Sequence, residues 1–453
     1  MDSFRKYWFS IVFALLAGYA IWLSSAPVRS SFSSVEKPSS IYGWDTSFYN
    51  FWLRSLVFDQ DVDFSNEIEL CDTLPGPQKR FALYSLPRTE NDLVPNKYPI
   101  GWAVFHAPWY LVGHGVAMSL DAMGVEVRTD GFGKVYEVFV YAGSVSYAFL
   151  SLWLTYLLLR RYFGKNSSAT ALWVVTVCGF LVYYQFGQYA MAHNLTYLCV
   201  VSVFYWSLAV REMPPLVSNW VMLGLSTGLL LITRYQAGVY LFFPFAVVLV
   251  DVLKGRTGVK AVAYGTVVLL GVVALQLVAW KALYGSWLVY SYQGEGFNWE
   301  SPAVWKSLFD PFHGLVYWHP IFLLGGVGLF GFLLQQKQPM GLLVLLSVAA
   351  VVYVNSAWET WWFGASFGGR AYEGVTLFVC FGIAWLLEKT DGVGFGVEIG
   401  LRLFFAALAV WSLGVLEVCV LNWRSGISLE EPVTHADFWE AIKVVWLGRS
   451  GSG

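Results

Sequence analysis

Apolar runs of nearly bilayer length recur down this chain, and no other feature narrows its possible folds so far. They lie at about residues 8–26, 137–159, 169–186, 192–210, 217–233, 237–253, 261–284, 318–335, 340–355, 372–387 and 400–421. A helix rises about 1.5 Å per residue, so about 20 apolar residues cross a hydrocarbon core. The pattern predicts an all-α polytopic membrane protein of about eleven transmembrane helices, with residues 1–453 forming a single transmembrane domain. Composition agrees: 57% of the residues are hydrophobic and 13% are charged. A soluble domain carries about 25% charged residues, and this chain lacks the polar surface to cover itself in water. It has no Lys/Arg-rich block, which argues against nucleic acid as a partner.

The first run follows Arg5 and Lys6 and is longer than the apolar region of a signal peptide. Ser24, Ser25 and Ala26 make a weak cleavage site, so the run is read as an uncleaved helix. With the N-terminus inside, the short inner loops hold Arg160, Arg161, Lys165, Arg211, Lys254, Arg256, Lys260, Lys337 and Lys389. That is the positive-inside pattern. The large first loop (27–134), the loops 285–317 and 356–371 and the tail 422–453 then share the outer face. A multi-pass protein of a bacterial inner membrane, with its working face towards the periplasm or exterior, is the expected setting. Within the first loop, residues 46–58 read as a helix lying in the membrane interface. Residues 100–118 fall between interfacial and spanning. Cys178, Cys199 and Cys380 lie inside apolar runs, Cys419 near the end of one and Cys71 in a polar loop. They read as buried thiols rather than a disulfide scaffold.

The polar interval 42–98 carries the candidate chemistry: Asp45, Arg54, the acidic run Asp59, Asp61, Asp63 and Glu67, and Lys97 before Tyr98 and Pro99. Asp45 suits a general base, and it equally suits the N-cap of the interfacial helix. The alternating acids resemble a calcium loop, but an EF-hand needs Gly at its sixth position and Glu at its twelfth. Phe64 and Leu70 stand there, leaving a solvated acidic turn or a looser ion site. Lys97, held rigid by the following proline, could pair with a phosphate or snorkel to headgroups. Two further outer stretches, 310–320 and 358–373, hold His313, the Gly368-Gly369-Arg370 turn and Glu373 among interfacial aromatics. No Gly-rich phosphate turn of a Rossmann unit is present, which argues against a nucleotide-sugar donor.

The ordered set of Asp45, Arg54, the acidic run with Asn66 and Glu67, Asn96-Lys97-Tyr98-Pro99, Phe312-His313-Gly314-Leu315 and Trp361-Trp362 through Arg370 resembles the GT-C membrane glycosyltransferases. The likeness is to the bacterial group of protein O-mannosyltransferases, aminoarabinose transferases and Rgt-type transferases, and it runs from the first helix to about Glu373. It implies a polyprenyl-phosphate sugar donor, a catalytic aspartate at Asp45, and donor-phosphate ligands at Lys97, Arg54 and Arg370. Asp59, Asp61, Asp63, Glu67, His313 and Glu373 would support the site. Two positions depart from relatives: Thr46 stands where many carry a second acid, and Phe48 where some carry arginine.

The expected activity is a hexosyl- or pentosyltransferase that inverts the anomeric centre at the outer membrane face, taking a polyprenyl-phosphate-linked sugar and a glycan, lipid or protein acceptor. The prenyl tail would lie in membrane lipid. A cationic clamp requires no cofactor, while the acidic run leaves a divalent cation open. The rival class is a transporter or flippase of lipid-linked sugars. Such proteins place ionisable groups near the bilayer midplane, often in repeated halves, whereas here they crowd one face and no repeat is visible.

Overall fold

The computed structural model describes residues 2–32, 41, 43–72, 87–212, 216–336, 339–391, 393–421 and 425–447. Among these residues the secondary structure is helical, apart from an isolated antiparallel bridge between Phe297 and Trp358. Among the described residues five helices are long and apolar enough to cross a membrane, and three shorter apolar helices accompany them at Val217–Thr233, Ile321–Gln336 and Gly341–Ala357. This is an integral membrane protein.

The chain divides into two compact units. One comprises Met1–Ala26, Leu150–Gly187 and Gly296–Gly453; the other comprises Pro27–Phe149 and Gln188–Glu295. In the first unit, Ile321–Gln336 packs on Val375–Thr390. A Cβ on Gly382 would lie 1.8 Å from the Gly325 carbonyl oxygen, so only glycine permits this approach. In the second unit, Val217–Thr233 packs on Val259–Tyr284, where a Cβ on Gly224 would lie 2.0 Å from the Gly265 oxygen. Lipid offers apolar helices little hydrophobic drive to associate, so small residues that let backbones close up supply the packing.

Several boundaries follow the hydropathy closely, including Lys134–Leu159, His193–Ala209, Val259–Tyr284 and Phe395–Val420. The run at 169–186 does not form one helix. It breaks into Lys165–Cys178 and Leu181–Phe186 because Gly179 is extended, at φ −104° and ψ 175°. Residues 46–58 form the helix Trp44–Arg54, widened afterwards by a π-turn over Ser55–Asp59. The borderline stretch at 100–118 is one helix, Gly101–Ala122, with Trp102, His106 and Tyr110 buried. All five cysteines are buried thiols, Cys71 included.

In the second unit, a core of Phe48, Phe51, Trp52, Phe64, Trp102 and Tyr110 seats the first-loop helix against Gly101–Ala122. This packing holds the polar loop to the helices that position it.

Candidate active site

Lys97 stands on a tightly held turn of the second unit. Asn96 donates through Nδ2 to the Phe48 carbonyl at 2.9 Å, and its Oδ1 accepts from the Tyr98 amide at 3.1 Å. Tyr284 donates to the Asn96 carbonyl at 3.0 Å, Ser291 to the Lys97 carbonyl at 2.8 Å, and Trp52 Nε1 to the Tyr98 carbonyl at 2.9 Å. Pro99 restricts the next backbone angle. The backbone is therefore fixed from four directions while the Lys97 ammonium reaches outward. It pairs with Glu295 and lies 5.4 Å from the ring centres of both Tyr98 and Tyr292.

Asp45 lies inside the first turn of Trp44–Arg54, and the N-cap is Gly43. The Gly43 amide donates back to Thr46 Oγ1 at 2.9 Å. The expectation that Asp45 caps this helix is thus corrected: the threonine side chain takes the backbone bond. The Asp45 carboxylate accepts instead from the Tyr98 hydroxyl at 2.6 Å. A negative group in a first turn also faces the positive end of the helix dipole. Burial, and next the charge on Asp45, push the Tyr98 phenol well above its ordinary range, so it remains a donor.

Tyr292 ties this pair to a second cation. Burial pushes its hydroxyl up, the Arg234 charge opposes that shift, and the charges of Asp45 and Glu295 add to it. Arg234 and Asp45 therefore act on one ring. Arg234 Nη1 contacts His193 Nδ1 at 2.7 Å. With a guanidinium as donor, Nδ1 is the acceptor and the imidazole proton lies on Nε2.

Arg54 belongs to a different cluster. Its guanidinium pairs with Asp59, and with Glu67 Oε1 at 2.8 Å, while Nε donates to the Asp130 carbonyl at 3.2 Å. The π-turn carries Asp59 back beneath the arginine, and Gln60 closes it in the left-handed region at φ 59°. Burial alone would lower the arginine's proton affinity, but the hydrogen bond to Glu67 and the charges of Glu67 and Asp59 raise it. Burial pushes the Glu67 carboxyl up to about 8, against the opposing pull of Arg54. Asp59 and Glu67 thus both bond the guanidinium, with burial holding Glu67 towards its protonated form.

The remaining acids serve the turn. Asp61 Oδ1 accepts from Ser55 Oγ at 2.8 Å and from the Asp63 amide at 3.1 Å. Asp63 Oδ1 accepts from the Ser65 amide and hydroxyl. Among the described residues no three His, Cys, Asp or Glu side chains are grouped to hold a metal ion. Arg54 beside Asp59 and Glu67 would repel a cation, and Asp61 and Asp63 are committed to local donors. The acidic run does not fit a cation site.

In the first unit the structure brings His313 and Arg370 together. The Gly369 amide donates to the His313 carbonyl at 2.9 Å, with Gly369 at φ 64° and His313 itself at φ 67°. His313 Nε2 contacts the Leu429 carbonyl at 3.0 Å, so it carries the proton and donates. Burial lowers the histidine's pKa to about 4, and the Arg370 charge acts in the same direction. A side chain at Gly368 would collide with Trp318, which explains the paired glycines before Arg370. Glu373 is buried just beyond the turn Arg370–Tyr372.

The structure thus joins Asp45 and Lys97 through Tyr98, and sets Arg54, Asp59 and Glu67 apart from them. Sequence reasoning passed over Glu295, Tyr292, His193 and Arg234 as site residues. Glu295 lies in a loop with Tyr290 and Tyr292, and a lone carboxylate among interfacial tyrosines was the available signal.

This membrane-embedded helical architecture, with charged groups in its interhelical loops, is a fold that solved structures share. The archaeal oligosaccharyltransferase AglB from Archaeoglobus fulgidus, in complex with an inhibitory peptide and a dolichol-phosphate, matches at TM-score 0.53 and 13% identity, over 92% of this chain and 56% of that one. ArnT from Cupriavidus metallidurans bound to undecaprenyl phosphate matches at 0.51 and 14% identity, over 97% and 75%. The Archaeoglobus oligosaccharyltransferase in complex with Zn and sulfate matches at 0.50 and 14% identity, over 95% and 61%. The chain therefore spans three quarters of ArnT and less than two thirds of the oligosaccharyltransferase. No family model and no curated protein matches it by sequence.

Proposed function

We propose that this protein is an inverting glycosyltransferase that moves a hexosyl or pentosyl group from a polyprenyl-phosphate donor to an acceptor hydroxyl at the outer membrane face. The observation that carries the reading is the Asp45–Tyr98–Lys97 arrangement: a carboxylate and a cation on rigid backbone, joined by one tyrosine. Its fold is shared with structures that hold undecaprenyl phosphate and dolichol-phosphate.

In this reading Asp45 accepts the acceptor's proton as its oxygen attacks the anomeric carbon. General-base assistance of this kind contributes roughly 10²–10⁴-fold. The bond from the anomeric carbon to the phosphate oxygen breaks as the glycosidic bond forms, through an oxocarbenium-like transition state. Lys97 stabilises the charge growing on the departing polyprenyl phosphate. One displacement inverts the configuration. Glu295 holds Lys97 before the donor arrives, and the donor phosphate takes its place. Arg54, saturated by Asp59 and Glu67, anchors the first loop and does not meet the donor. No step is routed through a metal.

Mass spectrometry of glycans and glycolipids, in cells with and without the intact gene, tests the reading. Loss of one sugar from one surface product, with its polyprenyl-phosphate form accumulating, is expected. An unchanged glycan and glycolipid profile would overturn it.

A further inference from the structure

A cavity of about 330 Å³ lies in the first unit, lined in part by Phe9, Asn166, Thr170, Asp391, Glu398 and Arg402. That size falls within the range of small-molecule sites, about 300–1,000 Å³. Its level relative to lipid follows from two spans. Tyr7–Ser24 begins two residues before Phe9, and Gly396–Val420 begins two residues before Glu398. Tyr7 and Trp8, both exposed, mark the same level, where aromatic rings gather at a bilayer surface. The cavity therefore lies in the headgroup layer.

Its polar lining is incomplete. Buried helical Thr155, Thr176 and Thr196 each donate to the carbonyl four residues back. Thr170 is 2% exposed, and its hydroxyl has no partner. Asn166, one turn earlier on the same helix face, has a buried Oδ1 that also lacks one. Buried polar atoms are normally satisfied, so two such atoms lining one cavity point to a missing group. The Asn166 oxygen requires a donor. The charged lining has two carboxylates, Asp391 and Glu398, against one guanidinium, Arg402, which pairs with Glu398 and lies 5.6 Å from the Trp8 and Phe9 ring centres. The excess charge is negative, and a cationic donor group complements it. Arg402 and the amino end of Lys165–Cys178 suit an adjoining anion.

We infer that this cavity binds the headgroup of a zwitterionic aminophospholipid, its ammonium towards Asn166, Asp391 and Glu398 and its phosphate towards Arg402 and the Thr170 hydroxyl. The acyl chains would follow exposed Leu15 and Leu403 along the two spanning helices.

The test is native mass spectrometry of the purified full chain after exchange into equimolar phosphatidylethanolamine and phosphatidylglycerol with matched acyl chains. One phosphatidylethanolamine per chain should be retained, at about fivefold preference, as a charge-assisted hydrogen bond allows. The double variant Asp391→Asn/Glu398→Gln should bring the preference to about one. Thr170→Val, nearly isosteric and therefore expected to fold, should lower retention about threefold, consistent with one lost hydrogen bond. Equal retention of both lipids by the unaltered protein, or undiminished retention by Thr170→Val, would overturn the inference. So would soluble O-phosphoethanolamine occupying the protein in place of the lipid.

Discussion

Two cations of the second unit come from the same first loop, and their ionic clusters differ in what they leave open. The Lys97–Glu295 pair has side chains 30% and 35% exposed, whereas Arg54 and Glu67 are 7% and 0% exposed. Arg54 is held by two acidic side chains and a carbonyl. Lys97 has a fixed backbone and a single carboxylate on its ammonium that a phosphate could replace. A cation saturated inside protein organises a loop. A cation on a rigid turn, with an exchangeable partner at the surface, is available to a ligand. Residue type alone does not separate these roles.

The contrast breaks most severely if Arg54 is removed. Arg54→Ala leaves Asp59 and Glu67 facing each other without a cation, and breaking a buried pair costs about 3–5 kcal/mol. Denaturant or thermal unfolding in detergent should show the loss, with expression reduced. A stable Arg54→Ala variant with weakened donor saturation would instead move Arg54 into the donor site.

Lys97→Ala should do the reverse, leaving stability nearly unchanged and raising the apparent KM for a polyprenyl-phosphate sugar by about 10–100-fold, the worth of a charged hydrogen bond. Arg370→Ala is expected to act in the same direction. Unchanged donor saturation in both variants would place the phosphate elsewhere.

Glu67 sharpens the comparison through pH. Its folded pKa, about 8, is raised above the ordinary carboxylate value of about 4.3. Between those values the native state holds a proton that the unfolded chain has released. The group's contribution to stability is complete below about 4.3 and is lost as pH rises towards 8. Glu67→Gln should therefore flatten the fall in melting temperature between pH 5 and about 8. An unaltered slope would show that Glu67 is ionised in the native protein.

The smallest effect belongs to Glu295→Gln. Removing the carboxylate that occupies Lys97 should lower the apparent KM for donor about two- to fivefold, because an exposed ion pair is worth roughly 1 kcal/mol or less. A raised KM would mean that Glu295 positions Lys97 for the donor rather than yielding to it.

Much of the scaffold was legible because hydropathy determines which segments leave water. The helices Val217–Thr233 and Val259–Tyr284 fall almost where the apolar runs end. The Lys97 turn was legible too, since a lysine before Tyr-Pro at an interface is an unusual local pattern. What failed depended on backbone detail or on distant pairing. Asp45 read as a cap because Asp is a favoured N-cap, but Gly43 adopts that backbone geometry and Thr46 supplies the oxygen. The pairing of Arg54 with Asp59 was hidden because no local pattern shows a π-turn folding Asp59 beneath the arginine. Glu295 meets Lys97 across nearly two hundred residues, which periodicity cannot report.

Asp45 carries the central claim. With Gly43 as the cap, Asp45→Asn leaves the helix start intact, and an amide oxygen can still accept from Tyr98. An amide cannot take the acceptor's proton. The measurement is single-turnover sugar transfer by the purified Asp45→Asn variant, reconstituted in lipid with a polyprenyl-phosphate sugar and compared with the unaltered protein at equal folded concentration. The account predicts a fall of roughly 10²–10⁴-fold with donor binding retained. Near-normal transfer by the folded variant would contradict it.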